Sequence, residues 1–118
     1  MKTVLIGASS NPERYAYKAT TSLHRHGHEV VLLGIKAGEI NGQKIRLDKP
    51  ALTDVDTITL YIGKQNQTLW YEYILNIKPR RIIFNPGTEN AELAQIAQDA
   101  GIETMDACTL VMLSVGTF

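Results

Sequence analysis

Short runs rich in Val, Ile, Leu and Thr recur along this chain, and four of them stop at glycine or at Asn-Pro-Gly. Thr3–Ile6 ends at Gly7, Glu29–Leu33 at Gly34, Thr57–Ile62 at Gly63 and Arg81–Phe84 at Asn85-Pro86-Gly87; Ile102–Met105 is a fifth such run. Each is apolar throughout rather than alternating, as in a strand covered on both faces. Helical patterns fill most of the gaps. Asn11-Pro12-Glu13 starts one, with Tyr15, Ala16, Ala19 and Leu23 on its packed side and Gly27 as its stop. Thr68–Ile77 is a second, with Leu69, Tyr73 and Ile77 inward, and Asn90–Ala100 is a third, with Leu93, Ile96, Ala97 and Ala100 at helical spacing. Thr109–Leu113 reads as a short last helix. Residues 35–52 show no period and read as a long connection with a short strand at Lys44-Ile45-Arg46. Strands alternating with helices predict a Rossmann-like α/β fold: a doubly wound parallel five-stranded sheet in three α/β/α layers.

The length of 118 residues fits one domain over residues 1–118. A formal net charge of zero gives no basic excess, so neither nucleic acid nor an anionic membrane is the expected partner. A small-molecule nucleotide ligand is. Cys108 is the one cysteine, which rules out an internal disulfide. With no signal-like or membrane-spanning run, cytoplasmic is the expected location.

In a doubly wound sheet the ligand edge is the carboxyl end of the strands. The most informative segment there is Gly7-Ala8-Ser9-Ser10-Asn11-Pro12, between the first strand and the first helix. Small residues let backbone N–H groups approach a diphosphate, the serine hydroxyls add donors, and the helix N-terminus adds positive potential. Arg14 in the first turn, with Lys18 one turn on along the same face, supplies cations for phosphate. The pattern departs from G-x-G-x-x-G, since Ser9 and Pro12 stand at the second and third glycine positions; a bare tight turn capped by Ser9 is the alternative. After the second strand, Gly34-Ile35-Lys36 lacks the acid of an NAD site and offers a cation. It suits a ribose phosphate, the 3′-phosphate of coenzyme A or the 2′-phosphate of NADP, although a solvated Lys36 is equally open. Tyr61, Ile62 and Gly63, then Asn85, Pro86 and Gly87, complete the edge.

With Tyr15, the run Gly7–Pro12 is one of three stretches that resemble the small bacterial CoA-binding-domain proteins; the others are Asn85-Pro86-Gly87-Thr88-Glu89-Asn90 and Ala107–Leu113. Those proteins are similar to the CoA-binding domain of the succinyl-CoA synthetase α subunit standing alone. The resemblance implies coenzyme A across the strand ends, with its diphosphate on Gly7–Asn11 and Arg14 and its adenosine near Leu33–Lys36 and Tyr61–Gly63. Gly34-Ile35 stands where the family often has Asn-Pro, and Gly63-Lys64 where it often has a proline pair.

His24, His26 and His28 fall at the far end of the first helix, away from the ligand edge, and read as helix caps rather than as metal ligands. No histidine lies downstream for phosphohistidine chemistry. Cys108 is the weak catalytic candidate, open as a thiol nucleophile or as a small buried hydrophobe. Arg80-Arg81 reads as solvated surface. CoA or acyl-CoA binding without catalysis is the expected function. An NADP-linked oxidoreductase or other nucleotide enzyme is one alternative. The other is a module docking on an acyl-CoA ligase partner, with an exposed Trp70-Tyr71 pair as its handle; self-association is likewise open.

Overall fold

The computed structural model describes residues 1–118. Strands β1 (Lys2–Ile6), β2 (Glu29–Leu33), β5 (Thr57–Leu60), β6 (Arg81–Phe84) and β7 (Glu103–Asp106) form one sheet in the order β2-β1-β5-β6-β7. All four pairings are parallel. The order reverses direction between β1 and β5, which is where a doubly wound sheet opens its ligand crevice.

Helix α1 (Tyr15–Arg25) and the short α5 (Thr109–Val115) cover one face; α3 (Tyr71–Ile77) and α4 (Ala91–Asp99) cover the other. Strand residues alternate between the two cores. Val4, Ile6, Ile58, Leu60, Ile82 and Phe84 pack with Trp70, Ile74, Leu93 and Ala97. Leu5, Val30 and Leu32 pack with Ala16, Ala19, Leu23 and Leu113. Asn90 caps α4, its side-chain oxygen accepting from Leu93 N–H at 3.2 Å. No helix is long and apolar enough to cross a membrane.

Several expectations shift. The third strand ends at Leu60, not Ile62. The segment after it is a single turn, α2 (Lys64–Gln67), then a 3-10 turn over Thr68–Trp70, then α3. The change of helical pitch moves the inward stripe from Leu69/Tyr73/Ile77 to Trp70/Ile74/Ile77: Leu69 is 78% exposed and Trp70 only 8%. Trp70 is therefore core, which removes it as a docking handle. On α1 the inward stripe is Ala16, Ala19, Thr20 and Leu23, and Tyr15 flanks it in solvent. The connection after β2 contains a hairpin, β3 (Glu39–Ile40) and β4 (Gln43–Lys44), rather than a strand over 44–46. Asn41 and Gly42 at its tip both have positive φ, and Asn-Gly is the signal that predicts such a turn. Arg46 instead makes an isolated parallel bridge to Leu33. Arg81 is buried, because β6 is an interior strand and the Phe118 ring lies over the guanidinium at 4.6 Å.

Candidate functional site

The carboxyl ends of β1, β5 and β6 converge on a cleft of about 740 Å³. Gly7 holds its floor. Its φ is +101°, and a Cβ there would lie 2.8 Å from the Tyr61 carbonyl carbon and 2.9 Å from its oxygen. The backbone after β1 thus passes directly against the backbone after β5, an approach that glycine alone permits. Gly7 and Ala8 N–H both donate to Leu33 O at 2.9 Å, so neither is free for a ligand. The free donors come next: no intrachain acceptor takes the N–H of Ser9 or Ser10, nor those of Tyr15, Ala16 and Tyr17 in the first turn of α1. The crevice therefore meets an unpaired helix N-terminus.

The loop shapes itself. Ser9 Oγ accepts from Asn11 N–H at 3.1 Å, which leaves its own hydrogen to donate outward. Asn11 Oδ1 accepts from Glu13 N–H at 3.0 Å, and Asn11 O from Arg14 N–H at 3.0 Å. This turn places Arg14 at the N-cap of α1 rather than inside its first turn. Arg14 and Lys36 both line the cleft, and neither is in an ion pair. Glu13 lines it as well and tempers the positive field.

Of the residues expected here, Gly7, Ala8, Ser9, Arg14, Lys36, Tyr61, Gly63, Asn85, Pro86, Gly87 and Cys108 line the cleft. Ser10, Asn11, Lys18, Gly34 and Ile62 do not. Ser10 is exposed but packs against the second loop: a Cβ on Gly38 would lie 2.7 Å from its Cβ. A Cβ on Gly34 would lie 2.9 Å from Ala8 O, so Gly34 is a packing contact behind the loop. Asn11 is spent on the turn. Lys18 leans over the Tyr15 ring at 5.4 Å. Ile62 packs into the core beside Leu60. Besides Glu13, the sequence reading left Tyr15, Ala16 and Leu110 out of the cleft, and it had Ile35 and Thr88 only as members of ligand-edge segments. Tyr15, at the start of α1, and Ile35, on the loop after β2, are 69% and 91% exposed apolar residues, and only the fold brings them to one rim.

Beneath the cleft lies a buried polar knot. Asn85, 1% exposed, donates to Thr59 Oγ1 at 2.7 Å and to Leu60 O at 2.8 Å, and accepts from Thr109 N–H at 2.9 Å. Its polar atoms are thus committed to fastening β5, β6 and α5, so it positions the cleft wall. Burial pushes the Tyr61 phenol pKa well above the ordinary tyrosine range, and the Thr109 and Thr59 hydroxyls beside it oppose this only in part. The phenol oxygen has no partner of good hydrogen-bond geometry. It is neutral at every physiological pH. On the opposite side Gln67 donates to Ile62 O and Thr88 O, and Asn90 to Gln67 Oε1, tying the loops after β5 and β6 together.

Cys108 is a half-buried free thiol at the N-cap of α5, on the cleft wall. The histidines lie at the other end of the molecule. His24 Nε2 meets Gln43 Oε1 at 2.9 Å and His26 Nδ1 meets Ser22 O at 2.7 Å, so both serve the end of α1.

A parallel sheet with its crevice at the reversal of strand order, a small-residue loop and an unpaired helix N-terminus define a Rossmann-like domain shaped for an anionic ligand. Within that class the chain belongs to the family described as CoA binding domain, which it matches over residues 1–114. It is 53% identical to an uncharacterized protein of known crystal structure, with a TM-score of 0.97 over 99% of this chain and 97% of that one. A conserved hypothetical protein from Pyrococcus furiosus is 28% identical, with a TM-score of 0.80 over 93% of this chain and 97% of that one. A protein from Thermus thermophilus is 18% identical and shares the fold, with a TM-score of 0.87 over 99% of this chain and 90% of that one. No curated protein matches the chain.

Proposed function

We propose that this chain binds coenzyme A or an acyl-CoA in the cleft between β1, β5 and β6. The observation that carries the reading is the set of unpaired N–H groups at Ser9 and the first turn of α1, with free Arg14 beside them, in a member of the CoA binding domain family. The diphosphate lies on those donors and on the Ser9 hydroxyl. Ribose and base run toward Ile35 and Lys36, with the 3′-phosphate at Lys36. Tyr15 and Ile35 offer apolar surface at the rim that otherwise faces water. No pair of titratable groups in the cleft divides into acid and base, so binding rather than turnover is the function assigned.

Calorimetric titration with CoA, dephospho-CoA, NADP and NAD tests the reading. Saturable binding of CoA, weaker for dephospho-CoA and absent for NAD, is expected; preference for NADP replaces this reading with a nucleotide-linked oxidoreductase, and no binding to any of the four defeats it. Two variants sharpen the assignment. Arg14→Ala weakens CoA by about 1.5–3 kcal/mol, the range for a hydrogen bond to a charged group; an unchanged Kd removes Arg14 from the diphosphate. Lys36→Glu lowers affinity for CoA more than for dephospho-CoA, and equal losses clear Lys36 of the 3′-phosphate.

A further inference from the structure

An asparagine amide is open to attack by the backbone nitrogen of the next residue where that nitrogen is unobstructed and the chain can bend to it. Asn11 and Asn85 precede proline, which has no N–H. Asn66 and Asn76 lie in α2 and α3, before Gln67 and Ile77, whose side chains shield the nitrogen. Asn90 is buried, and its amide is committed to Gln67, Tyr71 and Leu93. Asn41 precedes glycine. Asn41 and Gly42 are both exposed and form the tip between β3 and β4. The Gly42 N–H donates to no acceptor in the chain, and a Cβ on Gly42 would meet nothing within 4 Å. The strands behind the tip are two residues long, so few hydrogen bonds hold it closed. Gln43 Nε2 donates to Val30 O, so Gln43 Oε1 faces His24 Nε2 at 2.9 Å and the ring donates there. In the neutral ring Nδ1 is then the acceptor, 3.4 Å from Asn41 Nδ2.

We propose that Asn41-Gly42 is a modification site, at which Asn41 deamidates through a cyclic imide to aspartate and isoaspartate while the other asparagines persist. Gly42 N bonds to Asn41 Cγ, the Cγ–Nδ2 bond breaks, and Nδ2 departs as ammonia with the proton that Gly42 N gives up. Water then opens the imide. Cleavage at Cγ restores the main chain with an aspartate side chain; cleavage at the main-chain carbonyl leaves isoaspartate, whose main chain runs through Cβ and Cγ. No electrons are exchanged, and water is the only co-reactant. Closure rotates Asn41 out of its turn conformation, which so short a ladder permits by local opening. Either product removes the donor facing His24 Nδ1, and isoaspartate also disrupts the turn that pairs Ile40 with Gln43. The site lies at the far end of α1 from the cleft and does not depend on the CoA assignment.

The test is a time course on the folded full chain in warm neutral buffer, read by mass spectrometry. The tryptic peptide 37–44 holds no asparagine but Asn41, so its mass reports this site alone. It gains the amide-to-acid mass shift with time and splits into two chromatographic species, aspartyl and isoaspartyl. The rate lies within about tenfold of that of the free peptide 37–44, a factor equivalent to a local opening of about 1.4 kcal/mol. Peptides carrying Asn66, Asn76, Asn85 and Asn90 keep their masses over the same period. Gly42→Ala places a Cβ beside the attacking nitrogen and slows the gain about tenfold; Asn41→Gln suppresses it, and circular dichroism verifies that both variants are folded. If peptide 37–44 stays unmodified in the folded chain while its free counterpart converts, or if the gain is spread equally over the other asparagines, the proposal is overturned.

Discussion

Gly7→Val abolishes CoA binding and destabilises the fold by about 2–5 kcal/mol, the sum of a forced positive φ and an overpacked contact. The position punishes a side chain twice. Its φ of +101° is one that a β-branched residue avoids, and the new Cβ meets the carbonyl of Tyr61 at under 3 Å. The neighbour that must give way is backbone, and that backbone leads from β5 into the cleft wall. Relief therefore comes by separating the ends of β1 and β5, which displaces Ser9 and the start of α1 from the crevice. Chemical denaturation gives the stability change, and titration of the folded fraction gives the affinity. A folded variant with normal CoA affinity contradicts the assignment of the loop.

Asn85→Ala lowers stability by about 2–4 kcal/mol, because removing one side chain strands several buried groups at once. The Thr109 N–H loses its acceptor, and Leu60 O loses a donor. Thr59 and Thr109 keep only the 2.8 Å contact between their hydroxyls. Since Thr109 N–H belongs to the first turn of α5, that end of the helix loosens and carries Cys108 and Leu110 with it. CoA affinity falls even though the amide is fully engaged within the protein. Unfolding curves and amide exchange at Thr109 check this; unchanged protection there shows that α5 is held by packing alone.

The fold class was legible because the first four strands of the sheet are largely apolar runs followed closely by a chain-turning residue, a pattern that depends on neighbours in sequence, whereas β7, Glu103–Asp106, is a polar, partly exposed edge strand. The same local chemistry marked Gly7–Pro12 and Asn85–Gly87 as ligand-edge loops, and placed the histidines at the far end of α1. The Asn41-Gly42 hairpin was equally local, and its signal was on the chain. The phase of the segment after β5 was not. A 3-10 turn at Thr68–Trp70 rotates the inward stripe by one residue, and the exchange of Leu69 for Trp70 is decided by packing against the sheet.

What the sequence determined by itself was the order of elements, their parallel arrangement and the sheet edge where Gly7–Pro12 and Asn85–Gly87 meet, since all three follow from periodicity and turn chemistry along the chain. Tertiary structure decided how each ligand-edge residue is used. Whether Gly7 N–H faces a ligand or Leu33 O, whether Asn85 binds or fastens, and whether Arg81 meets water or the Phe118 ring depend on groups far away in sequence. A hydrogen-bonding group takes the partner that folding brings to it, and in each of these cases that partner lies at least 24 residues away along the chain.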